Sequence, residues 1–277
     1  MSQLARDLYP LAGRKEELSK SIVEIDRVKI GAGKPVIMAG PCAVEDREQI
    51  FTTARTVKES GGEILRGGVF KPRTSPYSFQ GLGKEGLELL AEVKEETGLL
   101  IVTEVMDVRD IDLVAEYADI LQIGSRNMQH YPLLREVGKV DMPVLLKRGM
   151  TATIKEWLLA AEYILRNGNQ QVILCERGIR GFQEYTRNIL DISAVPVVRQ
   201  LSHLPIIIDP SHATGHSELV TPLAKAGVIA GADGVMVEVH PNPEQALCDG
   251  EQSLDLPTFQ KLVRNLKLLP SNSEQEI

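Results

Sequence analysis

Eight short aliphatic runs, each followed by a longer stretch of helical period, dominate the chain from about residue 35 onward. The runs are "VIMA" (36–39), "EIL" (63–65), "LLIVT" (99–103), "ILQI" (120–123), "VLLK" (144–147), "QVILC" (171–175), "IIID" (206–209) and "GVMVE" (234–238). Their starts lie 21 to 36 residues apart, the length of one strand, one helix and their connections. In 153–167, for example, Ile154, Trp157, Leu158, Ala161, Ile164 and Leu165 keep the i, i+3, i+4, i+7 spacing of an amphipathic helix. Runs that are apolar at consecutive positions belong to strands buried on both faces, as in a parallel sheet covered by helices. Eight such units without an intervening second domain predict a (β/α)8 TIM barrel over 35–270. The rival, a doubly wound open sheet, usually has fewer strands and often opens with a Gly-x-Gly-x-x-Gly turn, which the first run lacks. Residues 1–34 form an N-terminal extension, in which "SIVEIDRVKIGAGK" reads as a strand ending in a Gly-Ala-Gly turn, one arm of a hairpin at the barrel bottom. The polar tail 271–277 has no apolar face and is expected to be disordered.

The formal charge of −7 argues against a nucleic-acid or membrane-surface binder, which usually carries a positive excess, so any cationic cluster must be local. No apolar run approaches the roughly 20 residues needed to span a bilayer, and the N-terminus has charges where a signal peptide needs an apolar core. The chain reads as cytoplasmic. Three scattered cysteines, Cys42, Cys175 and Cys248, are too few for a disulfide framework.

In a barrel of this kind chemistry sits at the C-terminal ends of the strands, so the residues closing each run are read together. Cys42 follows the first run. Arg66 follows the second, with Lys71, Pro72, Arg73, Thr74 and Ser75 in the loop beyond it; Glu104 closes the third, Arg126 follows the fourth and Lys147 closes the fifth. Glu176 and Arg177 follow the sixth, Asp209 and His212 the seventh, and Glu238 closes the eighth, with His240 and Asp249 beyond. Arg66, Lys71, Arg73, Arg126, Lys147 and Arg177 would repel one another if unpaired, so their convergence implies bound polyanionic small molecules, which guanidinium forks match. The alternative is a stabilising network in which they pair with Glu104, Glu176 and Asp209. Cys42, His212, Glu238 and Asp249 could together surround a divalent cation, a mixed sulfur, nitrogen and oxygen set suited to Mn, Fe, Co or Zn. Spacing alone does not announce such a site, and a cysteine after a proline at a strand end is more often buried and inert.

Nine segments in order, "AGPCAVED", "RGGVFKPRTSPYSFQGLG", "TEVMD", "LQIGSRNMQ", "PVLLKRGM", "ILCERGIRGF", "LDISAVPVV", "PIIIDPSHATG" and "ADGVMVEVHPNPEQALCDGEQSL", are similar to those of the 3-deoxy-D-arabino-heptulosonate 7-phosphate (DAHP) synthases, type I-beta subclass. The resemblance spans about residues 25–265. It implies a transferase that condenses phosphoenolpyruvate with erythrose 4-phosphate and water, the first step of the shikimate pathway. Cys42, His212, Glu238 and Asp249 become the metal ligands. Arg66, Lys71, Arg126, Lys147 and Arg177 hold phosphoenolpyruvate, and Pro72, Arg73, Thr74 and Ser75 receive erythrose 4-phosphate. Lys71, Glu104, Lys147 and His212 are the implied catalytic residues. The alternative is a 3-deoxy-D-manno-octulosonate 8-phosphate (KDO8P) synthase using arabinose 5-phosphate, whose corresponding loop resembles K-A-N-R-S-S, whereas this chain has Lys71-Pro72-Arg73-Thr74-Ser75. By the same resemblance a homotetramer or homodimer is expected. About thirty N-terminal residues are too few for a fused regulatory or chorismate mutase domain, so insensitivity to aromatic amino acids is expected unless a separate partner such as chorismate mutase supplies control.

Overall fold

The computed structural model describes residues 7–15, 18, 20–73 and 75–269. A hairpin comes first, β1 (Val23–Ile25) and β2 (Val28–Ile30), followed by β3 (Val36–Gly40), α1 (Arg47–Ser60), β4 (Ile64–Arg66), α2 (Lys84–Thr97), β5 (Leu100–Glu104), α3 (Ile111–Tyr117) and β6 (Ile120–Ile123). The chain continues through α4 (Tyr131–Val137), β7 (Val144–Lys147), α5 (Ile154–Arg166), β8 (Val172–Glu176), α6 (Ala194–Leu201), β9 (Ile206–Ile208), α7 (Pro210–Thr214), α8 (Ser217–Ile229), β10 (Gly234–Glu238) and α9 (Leu256–Lys267). Strands β3 to β10 pair in parallel in sequence order, and β10 closes on β3, with Gly234 opposite Val36 and Glu238 opposite Gly40. This is the expected (β/α)8 TIM barrel. No helix among the described residues is long and apolar enough to cross a membrane.

Alternation along the strands divides the apolar residues between two cores. Val36 and Met38 point into the barrel with Ile64, Leu100, Val102, Ile120, Leu145, Ile173, Ile207 and Met236, whereas Ile37 and Ala39 face the helices. Each strand is therefore buried on both sides, which is why its run is continuously apolar. The helices are set by local signals: Asp46 caps α1 by accepting from the Gln49 amide, and Thr153 and Glu156 form a reciprocal capping box at the start of α5.

The extension departs from the sequence reading in one respect. "VEIDRVKI" holds both arms of the hairpin, turning at Asp26, whose φ of 51° is left-handed, and the Gly-Ala-Gly segment follows the second arm. Val23, Val28 and Ile30 enter the barrel's interior core and close its N-terminal end, each burial stabilising by about 1.5–3 kcal/mol. Chemistry is thereby confined to the opposite mouth. The expected tail 271–277 lies outside the described residues.

Candidate active site at the barrel mouth

A cavity of about 340 Å³ opens at the C-terminal ends of the strands. It is lined by Arg66, Lys71, Pro72, Arg73, Ser75, Glu104, Arg126, Lys147, Arg177, His212 and Asp249 from the sequence reading. Thr74 lies outside the described residues. Cys42, His212, Glu238 and Asp249 offer ligand atoms that all lie within 4.8 Å of one another, so the four proposed metal donors are brought together.

The cations divide by partner. At the bottom Arg66 donates to Glu238 Oε1 at 3.0 Å, and Lys147 donates to Asp209 Oδ2 at 2.6 Å, all four side chains buried. To that extent the ion-pair reading holds. Glu176 pairs with Arg148 below the site, not with a cavity cation. Among the described residues, Arg177 donates only to the carbonyls of Gly178 and His212, and Arg126 has no hydrogen-bond or ion-pair partner. Burial without a carboxylate partner pulls Arg177 below the ordinary arginine value. Arg66 Nε is buried with no hydrogen-bond partner among the described residues. A buried donor without an acceptor is costly, and an anion in the cavity would satisfy it.

The donor cluster has its own support. His212 Nδ1 lies 2.7 Å from Asp209 Oδ2 and Nε2 lies 3.2 Å from Glu238 Oε1. Asp209 lies well below the ordinary carboxylate value: burial works against its charge, and His212 and Lys147 outweigh it. An ionised Asp209 accepts the proton of Nδ1 and leaves the Nε2 lone pair facing the cluster, the tautomer a metal ligand needs. Burial lowers His212, favouring the neutral ring, and pushes Glu238 up to about 7. The Cys42 thiol is driven well up, first by its contact with Cys248 and then by burial. Both shifts mark a cost of holding negative charge on Cys42 and Glu238, which a bound divalent cation would offset. The residues fit a metal.

Tight backbone geometry positions these groups. Asp249 has a φ of 52°, a left-handed conformation strained for a side-chain-bearing residue, which turns its carboxylate back toward Cys42. Gly124, after β6, lies so close to the Glu104 carboxylate that a Cβ there would overlap it. Several lining residues were not singled out from the sequence. Arg187 donates to Gln252 Oε1 at 3.0 Å and pairs with Asp249 Oδ1 at 3.4 Å, and Gln122 donates to Glu104 Oε2 at 3.3 Å. Cys248 Sγ lies 3.1 Å from Cys42 Sγ. Asp209, read from the sequence as a possible counter-ion, also holds His212.

A closed barrel whose mouth gathers seven cations around an acidic, thiol-bearing cluster defines an enzyme of the class that handles phosphorylated or carboxylated small molecules. Comparison with known proteins narrows the class. The sequence profile of the DAHP synthetase I family matches residues 15–270, and the chain belongs to that family. It is 54% identical over 261 residues to a phospho-2-dehydro-3-deoxyheptonate aldolase of Thermotoga maritima, covering 94% of this chain and 77% of the relative. The crystal structure of the Thermotoga maritima DAHP synthase superposes with a TM-score of 0.90 at 53% identity, covering 93% of this chain and 75% of that one. A truncated form of the synthase from that organism gives 0.88 at 49% identity, covering 94% and 95%. A 2-dehydro-3-deoxyphosphooctonate aldolase of Syntrophotalea carbinolica is more distant, 32% identical over 263 residues, 88% of this chain and 94% of the relative.

Proposed function

We infer that this chain is a DAHP synthase, joining C3 of phosphoenolpyruvate to the aldehyde carbon of erythrose 4-phosphate, with addition of water at C2 and release of phosphate by C–O cleavage. The observation that carries the reading is the single mouth in which Lys71-Pro72-Arg73, the unpaired Arg126 and Arg177, and the four-donor cluster line or adjoin one cavity. Two polyanionic substrates need that many cations to lie side by side, and fixing their reacting carbons in register supplies much of the rate.

Arg66, Arg126, Lys147 and Arg177 are assigned to the phosphate and carboxylate of phosphoenolpyruvate. Lys71, buried and reaching toward Cys42, stands between that site and the donor cluster. Arg73, with Pro72, Thr74 and Ser75 beside it in sequence, is assigned to the sugar phosphate. Cys42, His212, Glu238 and Asp249 would hold a first-row divalent ion such as Mn, Fe, Co or Zn, which when bound supplies Lewis-acid polarisation of an aldehyde oxygen. Glu104 faces the cavity and is assigned to positioning the water. With its Nδ1 proton held by Asp209 and Nε2 turned to the cluster, His212 suits the ligand role better than that of proton donor. Proton delivery is therefore placed on Lys147, whose ammonium is held by Asp209.

The type I-beta subclass and self-association follow the same reading. Tyr77, Phe182 and Tyr185 stand almost fully exposed on the chain, which supports burial against a second copy. Sedimentation of the purified chain tests this.

The deciding experiment strips the protein of metal, restores Mn²⁺, and follows phosphoenolpyruvate consumption with erythrose 4-phosphate or arabinose 5-phosphate. Metal-dependent consumption with erythrose 4-phosphate is expected. Preference for arabinose 5-phosphate would transfer the reading to KDO8P synthase, and inactivity with both would overturn it.

A further inference from the structure

Cys42 and Cys248 are distant in sequence, yet Cys248 lines the cavity and its sulfur lies 3.1 Å from that of the buried Cys42. Only Cys42 belongs to the four-donor cluster. Arg73 donates to Cys248 Sγ at 2.6 Å and Lys71 to Cys42 Sγ at 3.0 Å, so each sulfur faces a cation. Cys248 sits in the loop between β10 and α9, next to Asp249 with its strained backbone. Ala43 and the partly buried Phe79 share one small hydrophobic cluster with the two cysteines. The third cysteine, Cys175, is sealed in the barrel's interior core.

We propose that Cys42 and Cys248 form a reversible disulfide that competes with metal for Cys42. Closing the gap to a bonded S–S distance of about 2.05 Å takes a movement of about 1 Å, within reach of side-chain torsions on a loop. The oxidant class is a small hydroperoxide. One sulfur attacks a peroxide oxygen, the O–O bond breaks, and the departing hydroxide takes a proton and leaves as water, giving a sulfenic acid. The other sulfur displaces that hydroxyl, the S–S bond forms and a second water leaves. Two thiols and one hydrogen peroxide thus become one disulfide and two waters. The bridge would take the sulfur from the donor cluster and draw in the loop that carries Asp249, so oxidation and metal loading exclude each other. The exclusivity rests on the metal assignment proposed above; the bridge itself does not.

The test treats metal-free chain and chain loaded with redox-inert Zn²⁺ with stoichiometric hydrogen peroxide, then alkylates under unfolding conditions. Intact mass, non-reducing peptide maps and zinc content are read in every sample. The metal-free chain should lose two hydrogens, yield a peptide linking Cys42 to Cys248, and keep one alkylatable thiol, Cys175. Dithiothreitol should restore all three thiols. Cys248→Ser should add oxygen at Cys42 in place of the cross-link. Oxygen addition in the unaltered chain without a cross-linked peptide, or a bridge to Cys175, would overturn the proposal, whatever the zinc content. Zinc should suppress the cross-link in proportion to its occupancy. Equal cross-linking with zinc still bound would overturn the exclusivity and with it the place of Cys42 among the donors, while the bridge would stand.

Discussion

Replacing Asp209 with asparagine probes the group that organises the floor of the mouth. Asp209 is fully buried, and its Oδ2 accepts from Lys147 Nζ at 2.6 Å and from His212 Nδ1 at 2.7 Å, while Oδ1 accepts from the His212 amide at 3.0 Å and caps α7. Asparagine keeps the shape and the capping oxygen. It presents an NH₂ group to an ammonium and a ring N–H, so donors face donors and the buried Lys147 charge loses its counter-ion. Breaking a buried pair from one side costs about 3–5 kcal/mol, and Asp209→Ala should cost roughly 1 kcal/mol more because the cap is lost as well. Urea unfolding followed by the fluorescence of Trp157, the one tryptophan in the sequence, reads the change. Adding Lys147→Met to Asp209→Asn removes the stranded charge and should recover about 2 kcal/mol or more, a coupling that a double-mutant cycle isolates. With Nδ1 no longer anchored by a carboxylate, zinc affinity should fall about 10–100-fold. A single Asp209→Asn variant within about 1 kcal/mol of the parent, or a double variant no more stable than the single one, would refute the reasoning.

Three further outcomes follow from neighbouring geometry. Gly124→Ala puts a methyl group where the Glu104 carboxylate lies; the flexible acid should swing aside, lowering kcat roughly 100-fold while thermal stability changes by less than about 1 kcal/mol. Arg177→Met removes a desolvated cation with no carboxylate partner among the described residues. Stability should hold within about 1 kcal/mol, while KM for phosphoenolpyruvate rises roughly 100-fold from the loss of charge-assisted bonds; an unchanged KM would remove Arg177 from that subsite. His203 joins the N-terminal extension to the barrel, its Nε2 at 2.7 Å from the Leu11 carbonyl and Nδ1 at 2.7 Å from Ser21 Oγ. Burial lowers its pKa below the ordinary histidine value, so the unfolded chain binds the proton more readily. Its contribution to stability is therefore complete above about pH 6.5 and declines as the pH falls through the window below that value; His203→Gln should flatten this part of the stability profile measured by urea titration.

The barrel was legible because its strands are buried twice over. Ile37 and Met38 are adjacent in sequence and lie in different cores, yet both must be apolar, so the run is continuous and the repeat easy to count. The hairpin was harder, because three-residue arms carry little pattern and the turn at Asp26 uses no glycine. At the mouth, reading the strand ends gathered Arg66, Glu104, Lys147 and Glu238, whose positions follow from the last residues of their strands. It missed Arg187 and Cys248, each about ten residues past its strand, since no periodicity encodes the path by which a long loop returns. Gln122 escaped for the opposite reason. It lies inside β6 and looks like a solitary polar residue in an apolar run until the fold sets it against Glu104.

The sorting of charges by depth explains how an acidic chain keeps a cationic mouth folded. Arg66 and Lys147, at the floor, are matched by Glu238 and Asp209, and those same acids contact His212 from either side. The pairs that neutralise the floor thus also aim the donor ring, so neither function can be altered alone. Higher up, Arg126 and Arg177 lack carboxylate partners among the described residues, and Arg73 turns to a sulfur. Had these upper cations been paired internally, each bond to substrate would first have to break one within the protein, and the net gain on binding would be small. Left unpaired, they weaken the empty chain and reserve their interactions for incoming anions. The unequal treatment of two layers of cations therefore reads as a division of labour: the lower pairs hold the donor cluster in shape, and the upper charges are kept for the substrates.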